Sequence, residues 1–277
     1  MIFLHRNLVL FFTWTLLLLV SHHNASSQDK AYQLSKSTDI PLLSGGALGT
    51  ATSLWLRSKN DPYDLARIDQ LDMDNLLPLD HSATDNFSEA SRLTSDILLT
   101  ASYTLPLTAL IIPEARQNIG AISVMLAESI LLNETLTGIT KALVKRPRPY
   151  TYNPDAPEEL RTESNNNLSF FSGHTSYTAM FSFFSAQVLS KHINNPATRK
   201  FIWAGAILFP AATAYFRYDA GMHFITDVAA GYVVGAAIGY FIPRLHETAL
   251  FKNKETSEKA IRLDPEASQM FRLVFVF

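Results

Sequence analysis

Apolar and polar segments alternate along the chain, and six apolar segments are long enough to form helices. Few charged residues interrupt them, which is typical of membrane helices rather than of the core helices of soluble proteins. Several are shorter than the roughly 20 residues that usually cross a bilayer. The pattern predicts an all-α, integral-membrane bundle of about six helices, over residues 41–56, 93–112, 119–138, 174–190, 201–216 and 224–242.

The last apolar segment carries a stripe of small residues. Gly231, Gly235 and Gly239 recur at every fourth position, which places them on one face of a helix. Such a face lets the backbone of a neighbouring helix approach closely. We therefore expect this helix to pack tightly against another helix of the bundle.

The two ends of the chain differ from its middle. Arg6, the apolar run 8–20 and the small polar residues 21–28 are typical of a signal peptide, with cleavage after Ser27. The alternative is an uncleaved anchor helix, for which the run 8–20 is short. The sequence is thus divided into a signal peptide at 1–27, a helical-bundle domain at 28–250 and a charged tail at 251–277, whose end alternates like a strand.

Composition excludes several classes of protein. Hydrophobic residues make up 47% of the chain and charged residues 17%, below the roughly 25% charge of soluble proteins. The net charge of −2 supplies no basic field for nucleic acid, so nucleic-acid binding is disfavoured. The chain has no cysteine, which removes disulfides, thiolate metal sites and cysteine nucleophiles.

Two long connections hold most of the polar residues. Residues 57–92 are acidic, whereas residues 139–173 are rich in proline and asparagine and include four cations between Lys141 and Arg148. Connections longer than about 12–15 residues in a compact domain are often functional. The cations could instead be membrane-flanking residues whose side chains reach the interface.

A second polar cluster, Ser172-Gly173-His174, opens the fourth apolar segment. Backbone N–H groups at a helix N-terminus face anions, and the helix dipole adds positive potential there. Ser172 could serve only as an N-cap. His174 is placed to exchange a proton with an anion bound at this turn.

The third cluster runs from Arg217 to Asp227 and contains His223. If the chain becomes helical near His223, the i,i+4 spacing puts His223 and Asp227 on one face. The carboxylate could then orient the imidazole as a nucleophile or base. The alternative is a structural pair at a helix start.

The mixture of residues favours an anion over a metal ion. A catalytic zinc site needs three converging protein ligands, and the remaining histidines of the apolar segments, His192 and His246, lie at opposite helix ends. Cations would also repel a metal. Phosphate fits better, because its oxygens accept many donors and match the guanidinium group. No metal or cofactor is expected.

Together the clusters resemble the three-part signature of the type 2 phosphatidic acid phosphatase family. The resemblance spans about residues 141–227 and rests on Lys141, six residues, Arg148-Pro149; Ser172-Gly173-His174; and Arg217, five residues, His223, three residues, Asp227. The hydrophobic layout is similar to the integral-membrane branch of the family. Phe171 and Phe216 stand where the family often has proline and serine, and the second change removes a potential phosphate donor.

The resemblance implies a metal-free phosphatase whose substrate is a lipid phosphate or diphosphate. His223 would form a phosphohistidine, Asp227 would orient it, and His174 would protonate the leaving oxygen. Phosphate would be bound by Lys141, Arg148, Ser172, Gly173 and Arg217. Two alternatives stay open: a soluble acid phosphatase or vanadate-dependent haloperoxidase with the same anion pocket, and a membrane binding protein without turnover.

The distribution of cations predicts the orientation. One face of the bundle carries the cations of 116, 191, 199, 200, 244, 252 and 254, so we expect it to be cytoplasmic, with the active site facing the periplasm or exterior of a bacterial-type cell membrane. This requires the segment 41–56 not to cross fully if a signal peptide is cleaved. Glu128 and Glu134 within the third segment must face the bundle interior or water.

Overall fold

The computed structural model describes residues 31–248. The predicted signal peptide at 1–27 and the predicted tail at 251–277, with its strand-like end, lie outside the described residues. Within 31–248 the extended residues form one antiparallel bridge, between Tyr32 and Glu247. Every regular element of this part of the chain is helical, which confirms the predicted all-α class.

Six long helices form the bundle. They are α1 (Lys36–Ser58), α2 (Glu89–Ser102), α3 (Ile119–Val144), α4 (Gly173–His192), α5 (Pro196–Asp219) and α6 (Ile225–Leu245). Each contains or overlaps one of the six predicted apolar segments. The second segment is the least regular, because α2 ends at Ser102 and a 3-10 helix, Leu105–Leu110, continues it around Pro106.

Helix α1 runs parallel to α3 along the bundle. Close approaches pair Gly46 with Leu131, Gly49 with Thr135 and Ser53 with Gly138, so both chains advance in the same direction. With 23 residues, α1 is about 34 Å long. Helix α1 thus runs alongside α3 between the two ends of the bundle, and the expectation that the segment 41–56 does not cross the membrane fully stays a prediction.

Helix α4 lies at the centre of the bundle and packs against α2, α3, α5 and α6. The glycine stripe of α6 lies against the α4 backbone: a Cβ added to Gly235 would overlap the carbonyl oxygen of Ser176, and one added to Gly239 that of Met180. The predicted tight packing is confirmed. Because α4 and α6 run parallel, both helices begin at the same end of the bundle.

The two long connections meet over that end. Asn60 donates a hydrogen bond to Asn167 Oδ1 at 2.9 Å, and Asn166 donates to Tyr63 O at 2.7 Å. Helix α3 ends at Lys145, whose φ of 49° is left-handed, and the prolines that follow cannot continue a helix. These contacts place both polar connections beside the N-termini of α4 and α6.

The outward faces of the long helices are apolar. Exposed side chains include Leu48 and Trp55 on α1, Leu143 on α3, Phe201 on α5 and Val233 on α6. Two helical segments, Ile119–Thr151 and Ile225–Leu245, are long and apolar enough to cross a membrane. An apolar exterior around a core that buries serine, threonine and charged side chains is the arrangement expected of a bundle in lipid.

Candidate active site

All eight predicted site residues gather at the end of the bundle where α4 and α6 begin. Lys141 lies in the last turn of α3 and Arg217 in the last turn of α5. Ser172 is the N-cap of α4, Gly173 its first residue, and Arg148 precedes a short helical turn. His174, His223 and Asp227 complete the group.

His223 occupies a different local structure from the one the spacing predicts. Helix α6 begins at Ile225 with Phe224 as its N-cap, so His223 precedes the helix. Its Nδ1 nevertheless lies 3.5 Å from Asp227 Oδ2 and 3.4 Å from Ser169 Oγ. Its Nε2 lies 3.4 Å from the Arg148 guanidinium. One nitrogen thus faces the carboxylate and the other faces the cations.

Asp227 is fully buried, and both oxygens of its carboxylate accept hydrogen bonds. Oδ2 accepts hydrogen bonds from Ser169 Oγ at 2.5 Å and from the Phe224 N–H at 3.0 Å, and Oδ1 accepts one from Arg146 at 2.6 Å. These bonds limit the carboxylate to one orientation, in which Oδ2 points at the imidazole. The carboxylate is therefore fixed beside the Nδ1 side of His223.

Arg146 was predicted only as part of the cation run, yet it supports this carboxylate. Its second nitrogen pairs with buried Asp80 Oδ2 at 2.8 Å, and its guanidinium lies 4.0 Å from the centroid of the Phe224 ring. Asp80 also accepts from the Thr226 N–H at 3.0 Å. A residue of the acidic connection thus fixes the start of α6, which sequence spacing gave no means to detect.

His174 has a partner that the sequence analysis missed. Its Nε2 lies 2.7 Å from Asp96 Oδ1 on α2, and the same oxygen lies 3.4 Å from Arg217. The one available signal was an acid inside an otherwise apolar segment, where an ionisable residue is costly and usually functional. Asp96 therefore links two predicted site residues, His174 and Arg217.

Lys141 and Arg148 are buried cations with neutral partners. Lys141 donates to Leu168 O at 2.6 Å and Ser169 O at 3.0 Å. Arg148 donates to Asn165 O at 3.1 Å and Met222 O at 3.0 Å. In the described part of the chain neither forms a salt bridge. Two desolvated positive charges met by carbonyl dipoles make a site that an anion would complete.

Ser172 has the N-cap geometry that its position allows. Its Oγ lies 3.5 Å from the Thr175 N–H and 3.1 Å from the Thr175 hydroxyl, and its own N–H donates to Asp227 O at 3.0 Å. The last contact ties the start of α4 to the start of α6. The two helix N-termini therefore add their dipoles at the same place.

The electrostatics of the site favour a neutral His223. Burial lowers the pKa of the His223 imidazole well below its ordinary value of 6.5, and the charges of Arg148, Lys141 and Arg217 lower it further. We expect the acid limb of kcat/KM that reports His223 to lie well below pH 6.5 in the wild type. In Arg148→Gln, loss of the nearest charge favours the imidazolium, so the limb moves to higher pH. An unchanged limb, measured with a soluble phosphomonoester, would contradict this account.

The charges of this site favour an anion over a metal ion. Within the described residues, the one cluster of three potential metal ligands is Asp39, Glu128 and His246, at the opposite end of α6. The side chains around His223 are cations, which repel a metal ion and attract an oxyanion.

Comparison with known proteins gives a family match over the part of the chain that contains the site. The model of the PAP2 superfamily matches residues 122–251, which contain every predicted site residue. No curated protein matches the chain. Among solved structures, the chain is similar to a transmembrane PAP2 type phosphatidylglycerolphosphate phosphatase from Bacillus subtilis, with 18% identity, a TM-score of 0.40 and coverage of 84% of this chain and 93% of that chain. Residues 122–251 thus match the PAP2 superfamily model and contain the site built at the helix ends.

Proposed function

We propose that the protein hydrolyses a lipid phosphate or diphosphate through a phosphohistidine, without a metal ion. The observation that carries this proposal is the pair of buried cations, Lys141 and Arg148, whose partners are carbonyl oxygens. A phosphate group would supply their missing negative charge. His223 Nε2 lies beside Arg148, so phosphorus bound there would be close to the nucleophile.

In the first step, the Nε2 lone pair of His223 attacks phosphorus. Asp227 and Ser169 hold the Nδ1 side of the ring, and Asp227 stabilises the positive charge that the ring acquires. The P–O bond to the lipid breaks as His174 donates a proton to the leaving oxygen. Lys141, Arg148 and Arg217 stabilise the equatorial oxygens as charge redistributes.

In the second step, His174 takes a proton from water and the oxygen of that water attacks phosphorus. The P–N bond breaks, the electron pair returns to His223 Nε2, and inorganic phosphate leaves. His174 alternates between a protonated and a neutral state, and the Asp96 carboxylate stabilises the protonated one. The site thus returns to its starting protonation after each turnover.

A lipid substrate is supported by where the site lies. The catalytic groups stand at helix ends, and the outward faces of α1, α3, α5 and α6 below them are apolar. A head group could reach the cations while its tail remains beside the helices in the bilayer. The described residues contain no feature that selects one lipid head group over another.

The test is phosphate release by the purified protein in detergent with chelator present. A panel of phosphatidic acid, phosphatidylglycerol phosphate, a polyprenyl diphosphate and lipid A phosphate is compared with a soluble phosphomonoester. Faster release from a lipid supports the proposal. Release only from the soluble ester, or halide oxidation after addition of vanadate, would contradict it.

We further propose that the site faces the periplasm or exterior. The end of the bundle opposite the site carries Lys36, Arg116, Lys191, Arg199, Lys200 and Arg244, the bias of a cytoplasmic face. Because α1 runs between both ends of the bundle, residue 31 then lies at the cytoplasmic end.

The absence of native cysteine makes this orientation measurable. Asn75→Cys on the site side and Asn194→Cys on the opposite side each introduce the sole thiol of the chain. An impermeant maleimide added to intact spheroplasts is expected to label the cysteine at 75 and not the one at 194. The reverse pattern would overturn the orientation and leave the chemistry untouched.

A further inference from the structure

Three ionisable side chains meet at the end of the bundle opposite the candidate active site. This basal cluster consists of Asp39 in the first turn of α1, Glu128 in α3 and His246, which caps the C-terminus of α6. The 21 residues of α6 separate it from the phosphate site by about 30 Å. It therefore lies outside the chemistry proposed above.

The ligand atoms of the basal cluster converge on one point. They all lie within 4.8 Å of one another. His246 Nε2 is 2.9 Å from Asp39 Oδ1 and 3.3 Å from Glu128 Oε2. All three residues are buried: Asp39 is 8% exposed, Glu128 1% and His246 0%. Because the cluster is shielded from water, the negative charge of its carboxylates has to be compensated by a positive charge within the cluster.

Neighbouring backbone groups aim these ligands inward. His246 Nδ1 lies 2.8 Å from Ile242 O, so Nδ1–H donates to that carbonyl and Nε2 faces the acids. The Ser35 N–H donates to Asp39 Oδ2 at 2.8 Å, which leaves Oδ1 directed at the histidine. Metal-binding histidines characteristically donate their second N–H to a backbone carbonyl.

Glu128 lacks hydrogen-bond donors within the described part of the chain. Both of its carboxylate oxygens are buried, and within residues 31–248 neither accepts a hydrogen bond; the nearest cationic group is His246 Nε2, 3.3 Å from Oε2. A buried carboxylate without donors is costly. Protonated His246 alone would face two carboxylates and leave the cluster with a net negative charge. A divalent cation with one neutral histidine and two carboxylates makes the cluster neutral.

We propose that the basal cluster binds one divalent transition-metal ion, with zinc as the best fit. Zinc takes histidine nitrogen and carboxylate oxygen at about 2.0–2.2 Å, so tetrahedral ligands stand roughly 3.3–3.5 Å apart. The 3.3 Å between His246 Nε2 and Glu128 Oε2 matches this separation, whereas Asp39 Oδ1, at 2.9 Å from the same nitrogen, would move outward by about 0.4 Å on binding. Magnesium and calcium prefer more ligands, all of them oxygen. Three protein ligands leave the fourth position for water.

The ion would hold three helices of the bundle together. Asp39, Glu128 and His246 belong to α1, α3 and the end of α6, helices far apart in the sequence. Beside the cluster, Gln33 N–H donates to His246 O at 2.8 Å and Thr248 N–H to Ala31 O at 3.1 Å, so the same place joins both ends of the described chain. Binding of the ion to the folded chain alone stabilises it.

The experiment uses the full chain in detergent, stripped with chelator and titrated with Zn²⁺ alone. We expect one equivalent to bind and the unfolding midpoint to rise by about 5 °C or more. Glu128→Gln keeps the size of the side chain but removes one ligand charge, so its affinity should fall at least about 100-fold. Glu114→Gln, an exposed acid at the same end, is the matched control and should bind as the wild type does.

Cobalt gives a second readout that loss of stability cannot imitate. Co²⁺ in the wild-type site should show visible absorption bands of a four-coordinate ion, and His246→Ala should lose them while His223→Ala retains them. Wild-type protein that binds no Zn²⁺ would overturn the proposal. So would a Glu128→Gln variant that binds Zn²⁺ with unchanged affinity. Either result leaves phosphate release at the other end of the bundle unaffected.

Discussion

We expect His223→Ala to lower phosphate release by roughly 10⁴-fold or more, because the variant lacks the group that we propose as the nucleophile. The alanine also removes the only ring whose two nitrogens face the Asp227 carboxylate and the Arg148 guanidinium within the described residues. The measurement is initial-rate release from the best lipid of the panel. Brief reaction of wild-type protein with radiolabelled substrate should trap a phosphoenzyme that is labile in acid and stable in alkali.

The matched control is His192→Ala, at the other end of α4. It should leave the rate and the phosphoenzyme unchanged. Turnover by His223→Ala at the wild-type rate would remove His223 from the mechanism. A phosphoenzyme that persists in this variant would assign the covalent bond to another residue.

The second large effect is expected for His174→Ala. General acid catalysis contributes about 10²–10⁴-fold, and its loss matters most when the leaving oxygen is strongly basic. The rate with a lipid phosphate, whose leaving group is an alcohol, should therefore fall much further than the rate with p-nitrophenyl phosphate. The measurement is kcat for both substrates in the same detergent.

Asp96→Asn removes the negative charge beside His174 and leaves the proposed proton donor in place. Asp96 contacts His174 and Arg217 rather than the phosphate position, so we expect the same dependence on leaving group in weaker form. Ser95, which also contacts Arg217 at 3.3 Å, remains in this variant. An equal loss with both substrates in His174→Ala would contradict the role of that histidine as the acid.

The residues that the motifs singled out lie together at one end of the bundle. Lys141, Ser172 and Arg217 occupy helix ends, where a short sequence pattern is informative, because caps and terminal turns depend on nearby residues. The glycine stripe of α6 was equally readable, since a repeat of four residues defines one helical face. Each of these features is local in the sequence.

The partners of the catalytic groups were not readable in this way. Asp96, Asp80 and Arg146 act on His174 and Asp227 across distances that no spacing rule covers, because α2 and the acidic connection reach the site only after the bundle forms. The same reason explains His223, whose contact with Asp227 depends on Ser169 and on a helix that begins two residues later than expected.

By itself, the sequence determined the helical class, the positions of six apolar segments and the residues that we propose as phosphate ligands. These follow from periodicity and from side-chain chemistry, which are properties of short stretches. Tertiary structure alone decided that α1 joins both ends of the bundle, that Asp96 belongs to His174, and that Asp39, Glu128 and His246 converge. Contacts between residues far apart in the chain are set by how helices pack, and packing is a property of the whole bundle.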